Sequence, residues 1–229
     1  MQMKNAPAAI MAVILVLCAT GCMSWEDYKN RDTRKRYTSN SYPANPVEGL
    51  KTVALVVIDA VDKYEIDTRE FAGALHTQLQ QVAQLEVLPD TVVLGALETG
   101  NYALPRDGLK LADDLGVDGL FVAIVTNYDP YGEPVISLGL TLFSKATAPL
   151  HPVALDRVIQ GGRDLPMPES SSEPVTAVFA VFDSSQKNVR ERIKWFAEGA
   201  SAGETGLGWE HYYRTMPNFM RFVSYEMVW

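Results

Sequence analysis

The hydrophobic pattern between residues 50 and 147 changes repeatedly between strand-like and helix-like periods. Residues Thr52 to Ile58 form a continuous apolar run rich in β-branched side chains, which predicts a strand buried on both faces of a sheet. A helix start follows at Asp67, because an N-cap acid precedes Glu70 by three positions. The helix continues as an apolar stripe at helical spacing, made of Phe71, Leu75, Leu79 and Val82.

Five further elements complete this region. In chain order they are a strand at Leu85–Leu88, a helix from Pro89-Asp90 to Gly100, a helix from Arg106 to Leu115, a strand at Leu120–Val125 and a strand at Ile136–Leu142. The last two strands are predicted to form a hairpin, because a segment rich in Asn, Asp, Pro and Gly separates them. This order predicts an α/β (α+β) fold in which helices pack against a mixed β-sheet.

The pattern of residues 148–229 predicts a mainly helical extension of this core. It contains two candidate strands, at Val153–Ile159 and Val175–Phe182. Asp183 or Ser184 can cap a helix that runs to Glu198, and Pro217 opens a final helix rich in aromatic residues. We therefore expect one domain over residues 50–229, with its core at 50–147. We expect the final helix to dock onto that domain, and the alternative is that its aromatic residues form a partner-facing patch.

The first 22 residues have the pattern of a bacterial lipoprotein leader. Lys4 precedes an apolar run from Ala8 to Ala19, and the small residues Thr20 and Gly21 then precede Cys22. This end resembles the lipobox of bacterial lipoproteins, in which the chain is cut before a cysteine that carries lipid. The alternative is an uncut membrane anchor, but the run is shorter than the ~20 residues that a spanning helix needs. We therefore predict a signal peptide at 1–21 and lipidation at Cys22.

Residues 22–49 are rich in charged and polar residues and have no apolar period, so they predict a flexible tether. A basic cluster within the tether has two interpretations. It could contact anionic lipid headgroups. Alternatively it is part of a solvated linker, because acidic residues are interspersed with the basic ones. Its members are Lys29, Arg31, Arg34, Lys35 and Arg36. The net charge of the whole chain is −8, which argues against nucleic acid as a partner.

A resemblance to a family group rests on four segments of the core. They are the opening strand Lys51–Asp59, the helix from Asp67, the strand Leu85–Leu88 and the segment Ala112–Leu120, which looks like a recurring helix-Gly-x-Asp-strand junction. The plan resembles the α/β domain of periplasmic lipoproteins related to the curli secretion lipoprotein, of lipoproteins that activate penicillin-binding proteins, and of the amino-terminal domain of TolB. The resemblance implies an envelope binding or assembly module without catalysis, and no functional residue is transferred by it.

One motif points to catalysis. Residues 199–203 match G-x-S-x-G, which would make Ser201 the nucleophile of an envelope serine hydrolase. That motif needs a strand before the serine and a helix after it, whereas here a helix pattern precedes and further glycines follow. The hydrolase order also needs an acid and then a distant histidine, and only His211 follows Ser201.

The sequence predicts neither a metal site nor a cofactor site. The histidines are His76, His151 and His211, without an H-E-x-x-H or Cys-x-x-Cys pattern. Glu210 and His211 are neighbours in the chain, so their side chains would point apart on a helix.

The turn-rich segment from Asn127 to Glu133 is the candidate recognition loop. Tyr128, Asp129 and Tyr131 could form a contact surface at the hairpin tip, because tyrosine supplies contact area at a low entropic cost. The alternative is ordinary turn chemistry from Asp129-Pro130 and Gly132.

The leading hypothesis is a non-catalytic lipoprotein anchored in the outer membrane and facing the periplasm, where it binds an envelope protein or the cell wall. Met23 follows Cys22, in place of the Asp that is associated with retention in the inner membrane. The alternatives are the Ser201 hydrolase and a subunit of an oligomeric secretion pore. The pore is disfavoured because the predicted hairpin strands, 120–126 and 134–143, are needed by the sheet of the domain itself.

Overall fold

Five strands form one mixed sheet in the part of the chain that the structure describes. The computed structural model describes residues 49–61, 63–144, 174–199 and 208–229. The strands are β1 Thr52–Asp59, β2 Glu86–Val87, β3 Gly119–Asp129, β4 Val135–Ser144 and β5 Thr176–Asp183. Their order in the sheet is β2-β1-β3-β4-β5, with β1 parallel to β2 and β3, and β4 antiparallel to β3 and β5.

The helices of the described residues begin and end largely where the capping residues predict. They are α1 Thr68–Leu79, α2 Asp90–Thr99, α3 Gly108–Leu115, α4 Lys187–Gly199, α5 His211–Arg214 and α6 Met216–Val228, with a 3₁₀ turn at Gly208–Glu210. Oδ1 of Asp67 caps α1 by accepting the backbone N–H groups of Arg69 and Glu70, at 3.0 and 2.9 Å. Gly116 ends α3 with a φ of 69°, a backbone conformation that favours glycine.

The larger hydrophobic core lies on one face of the sheet, beneath α1, α4 and α6. Phe71 and Leu75 of α1 and Ile193 of α4 are fully buried there, as is Phe222 of α6. Ring contacts join the layers: Phe222 meets Phe182 of β5 edge-on, at a centroid distance of 5.9 Å. The final helix therefore docks onto the domain, as its dense aromatic residues predict.

A smaller core lies on the opposite face, beneath α2 and α3. It contains Val56 of β1, Val93 of α2, Leu111 of α3 and Val122 of β3. Because β1 contributes residues to both cores, the continuous apolar run in its sequence is explained by burial on both faces. The α/β fold class, with its mixed sheet and C-terminal helices, is confirmed.

A single carboxylate ties the amino end of β1 to the start of β3. Oδ2 of Asp118 accepts hydrogen bonds from the backbone N–H of Lys51 at 3.0 Å, and from the N–H and hydroxyl of Thr52 at 2.8 and 2.9 Å. These bonds, most of all the one from the N–H of Thr52, lower the pKa of Asp118. The helix-Gly-x-Asp-strand junction is therefore a structural clamp between segments far apart in the chain.

Several boundaries differ from the predicted ones. Helix α3 begins at Gly108, two residues later than predicted, and α6 begins at Met216, one residue earlier. Strand β3 extends to Asp129, so the predicted turn at 127–133 is shorter than its composition indicates. Strands β3 and β4 lie inside the sheet, each with a partner on both sides.

The remaining predictions fall on residues that the structure does not describe. They are the leader, Cys22, most of the tether, the strand at Val153–Ile159 and the small-residue linker around Ser201. None of the helices in the described ranges has the length and apolar character required to cross a membrane.

Candidate recognition surface at the carboxyl edge of the sheet

The carboxyl ends of three strands meet at one edge of the sheet. Strands β1 and β3 are parallel and end at Asp59 and Asp129, and β5 ends at Asp183, which is paired with Val135 at the start of β4. The loops that follow these strands therefore lie side by side. This edge carries the candidate recognition loop.

Each aspartate at this edge shapes the turn that follows its own strand. Oδ1 of Asp59 accepts the N–H of Val61 at 2.9 Å, and Oδ1 of Asp129 accepts the N–H of Tyr131 at 3.0 Å. Asp183 does the same with the N–H of Ser185, at 2.9 Å. Burial opposes ionisation of Asp183, but the hydrogen bonds from Ser185, with Gln186 and Arg190, together outweigh it and lower its pKa. These are Asx turns, so the carboxylates serve local geometry.

Tyr131 is the most exposed large hydrophobic side chain of the described residues, at 69%. Its ring meets the half-buried Tyr64 ring edge-on, at a centroid distance of 5.2 Å. Lys63 Nζ lies 4.5 Å from the centroid of the Tyr64 ring. Interactions with Tyr64 raise the pKa of Lys63, and the carboxylate of Asp129 adds to the effect. We call Lys63, Tyr64 and Tyr131 the tyrosine patch.

An arginine of α4 braces the tip of the β3–β4 hairpin, two positions along the chain from Tyr131. Arg190 forms an ion pair with Glu133, and its Nε donates to the carbonyl oxygen of Ser184 at 2.7 Å. Its guanidinium carbon lies 5.5 Å from the ring centroid of Tyr213, and that of Arg214 lies 5.9 Å from the same centroid. The tip that carries Tyr131 is therefore held against α4 and is not a free loop.

Tyr128 is not part of the exposed surface, so the prediction that both tyrosines form it is wrong for this residue. Its side chain is 8% exposed and packs in the larger core. The register of β3 shifts between Val125 and Asn127, and Tyr128 then pairs with the core residue Ile136. One extra residue in a strand turns the following side chains to the other face. Burial raises the pKa of Tyr128, and Glu70 and Asp67 add to the rise.

The histidines of the described residues do not come together in a site. His76 lies on α1 and is half-buried, and its Nε2 atom is buried without a hydrogen-bond partner among these residues. Nε2 of His211 lies 2.7 Å from Asn218 Nδ2, and Glu210 pairs with Arg214 at 2.6 Å. The described ranges contain no group of three His, Cys, Asp or Glu side chains that could hold a metal ion.

Ser201 and His151 lie outside the described residues. Helix α4 ends at Gly199, so a helix leads into the G-x-S-x-G run where the hydrolase motif has a strand. Sequence reasoning missed Tyr64, which contacts Tyr131, Lys63 beside it, and Arg190, which pairs with Glu133 of the same hairpin tip. No local pattern marks them, because they are brought to the hairpin tip by the fold.

No family model and no curated protein matches the chain. Several solved structures are similar to it at low identity. Lipoprotein GNA1162 from Neisseria meningitidis is 13% identical, with a TM-score of 0.41 over 68% of this chain and 99% of that one. A PelC dodecamer from Paraburkholderia phytofirmans is 11% identical, with a TM-score of 0.35 over 63% of this chain and 77% of that one.

The C-terminal domain of LpoB from Salmonella enterica is 9% identical, with a TM-score of 0.38 over 59% of this chain and 86% of that one. A lipoprotein is thus among the similar structures. Because the TM-scores of these structures lie below 0.5, the similarity transfers no activity, partner or residue role to this chain.

Proposed function

We propose that this protein is a lipid-anchored, non-catalytic binding module of a bacterial cell envelope. Lipid on Cys22 holds it in the membrane, and the tyrosine patch binds an envelope protein or the cell wall. The observation that carries the proposal is the position of Tyr131, which is 69% exposed at the tip of a braced hairpin. A rigid aromatic side chain in solvent is a typical anchor of a recognition surface.

The tyrosine patch combines aromatic rings, a positive charge and an ordered backbone, as recognition surfaces need. Tyr64 contacts the ring of Tyr131 edge-on and is itself packed against the larger core. Lys63 adds a charge beside the rings, and the turn bond of Asp129 fixes the backbone at Tyr131. Binding to a surface that is already ordered loses little conformational entropy.

The tether gives this surface its reach. A flexible chain of the length of residues 22–49 has a typical end-to-end distance of about 30 Å and can extend further. Anchoring by one lipidated end also raises the effective concentration of the domain near other envelope components. Met23 favours the outer membrane, and we propose that the domain faces the periplasm.

The anchor is tested by metabolic labelling with a palmitate analogue. Wild-type protein should take up the label and fractionate with the outer membrane, whereas Cys22→Ala should do neither. Equal labelling of both proteins would refute the lipid anchor without bearing on the patch.

The patch is tested by photo-crosslinking in intact cells. A crosslinking residue at position 131 of the full-length protein should give a defined adduct with an envelope protein or a cell-wall fragment. The matched control is position 92 on α2, where the native valine is 48% exposed. The same adducts from both positions would refute a specific surface. The two variants at this position are compared without the crosslinking residue, in a pull-down after chemical crosslinking. Tyr131→Phe should still capture the partner of the wild-type protein, and Tyr131→Ala should not.

A further inference from the structure

The outer edge of strand β5 has no strand partner within the ranges that the structure describes. In the described residues it pairs with β4 on one side only, over eight consecutive residue pairs without a register shift. Its sequence, T-A-V-F-A-V-F-D, carries no charge before Asp183 and no proline. Natural sheets protect such edges with lysine, proline, bulges or short strands. An unprotected edge of this kind is a template for another strand.

The backbone of β5 presents its hydrogen-bonding groups outward at odd-numbered residues. The backbone N–H of Ser184 donates to the carbonyl of Pro134 at 3.0 Å, which makes 184 and 134 a hydrogen-bonded pair. In an antiparallel ladder these pairs alternate, so even-numbered residues of β5 bond to β4. The N–H and C=O groups of Ala177, Phe179 and Val181 therefore point away from β4.

The side chain of Phe179 leaves this edge accessible. Its cross-strand neighbour is Gly139, and a Cβ at Gly139 would lie 2.4 Å from the Phe179 ring. The ring therefore leans inward over the glycine, towards β4. Val181, on the same face of β5, is 45% exposed.

We propose that the outer edge of β5 pairs with β5 of a second copy of this chain, antiparallel about a two-fold axis at Phe179. Phe179 then faces itself as a hydrogen-bonded pair, which its outward N–H and C=O groups allow. The register places Ala177 opposite Val181 and Val178 opposite Ala180, so a small residue meets a larger one on each face of the joined sheet.

The choice of a second copy rests on charge and symmetry. The chain has a net charge of −8, yet Thr176 to Phe182 carry no charge, so the paired strands place no like charges opposite one another. A two-fold axis closes both open edges with one contact.

The size of the contact sets the expected strength. In this register Thr176 to Phe182 of each copy pair, and these seven residues span about 24 Å. A contact of one strand edge is smaller than the ~800 Å² per partner of standard interfaces, so we expect a dissociation constant in the micromolar range.

The first test measures the mass of the full-length protein in mild detergent as a function of concentration, by light scattering corrected for bound detergent. We expect a dimer at high micromolar concentration. Val181→Pro removes an outward N–H and spares the bonds to β4, so it should weaken the dimer at least about tenfold. Val181→Thr keeps the N–H and should retain the dimer. A monomeric wild type, or an unchanged dimer in Val181→Pro, would overturn the proposal.

The second test measures hydrogen exchange in residues 176–183 of the wild-type protein. The dimer predicts slow exchange at high concentration and fast exchange of the outward amides on dilution. Protection that does not depend on concentration, in a protein of monomeric mass, would show that another part of the same chain covers the edge, and would overturn the proposal. Both tests are independent of the tyrosine patch, so failure of one proposal leaves the other standing.

Discussion

The two ends of the sheet use aspartate in opposite ways. At the amino end, Asp118 bonds to Lys51 and Thr52, which precede it by 67 and 66 positions. At the carboxyl end, Asp59, Asp129 and Asp183 each bond to an N–H two positions further along the chain. The same side chain thus fastens distant segments at one end and shapes single turns at the other.

This difference separates the residues that hold the fold together from those that are available for recognition. A long-range bond belongs to the global structure, and its loss is felt by every element that it joins. A turn bond is local, so its loss is felt mainly in the turn that it shapes. The tyrosine patch lies at the end where the aspartates make turn bonds, and there Tyr131 is exposed to a partner.

The largest expected effect comes from Tyr128, because it is the part of the carboxyl end that belongs to the core. Tyr128→Ala should lower the free energy of unfolding by about 3–4 kcal/mol, as for other large aromatic residues in a core. Urea unfolding followed by circular dichroism measures this. A loss below about 1 kcal/mol would mean that Tyr128 is exposed after all, and would restore it to the recognition surface.

The next largest effect is the loss of stability expected when an aspartate at the amino end of the sheet is removed, compared with one at the carboxyl end. Asp118→Ala removes hydrogen bonds from two backbone N–H groups and one hydroxyl, so it should lower the free energy of unfolding by about 2–3 kcal/mol. Asp129→Ala removes one turn bond and should cost about 0.5–1 kcal/mol. Equal losses in the two variants would contradict the distinction between the two ends of the sheet.

The clamp at Asp118 should also depend on pH. Its hydrogen bonds lower its pKa in the folded state, so the ionised form is bound more strongly there than in the unfolded chain. The stabilisation is therefore fully present above the unfolded pKa of about 4 and is lost as pH falls through the lower folded value. The difference in unfolding free energy between wild type and Asp118→Asn should be constant from about pH 7 to 5 and shrink below about pH 4. A difference that grows on acidification would show that the pKa is raised.

The sequence predicts this fold well where the signal is local. The apolar run of β1, the Asp67 cap of α1 and the Gly116 end of α3 are each encoded within a few residues, and each is found in the structure. Element order then determines the fold class, because short connections leave few ways to arrange a mixed sheet. What periodicity does not predict is the bulge before Asn127, and that single extra residue moves Tyr128 into the core.

The candidate site is predictable only in part, for the same reason. Tyr131 stands out within a turn-rich segment, but its contact with Tyr64 joins two loops that are 67 positions apart. The pair between Arg190 and Glu133 spans 57 positions. Contacts of this kind follow from strand order and register, so they become visible when the topology is known.

The smallest expected effect on stability comes from Tyr131. Its side chain is 69% exposed and its main described ring contact is one edge-on contact with Tyr64. Tyr131→Ala should therefore change the free energy of unfolding by less than about 1 kcal/mol. Under the proposed function the same change should abolish partner capture, whereas Val92→Ala, at an exposed position on α2, should leave both quantities unchanged. A large loss of stability would make Tyr131 a structural residue, because a side chain that holds the fold together at this edge would not be free to serve recognition.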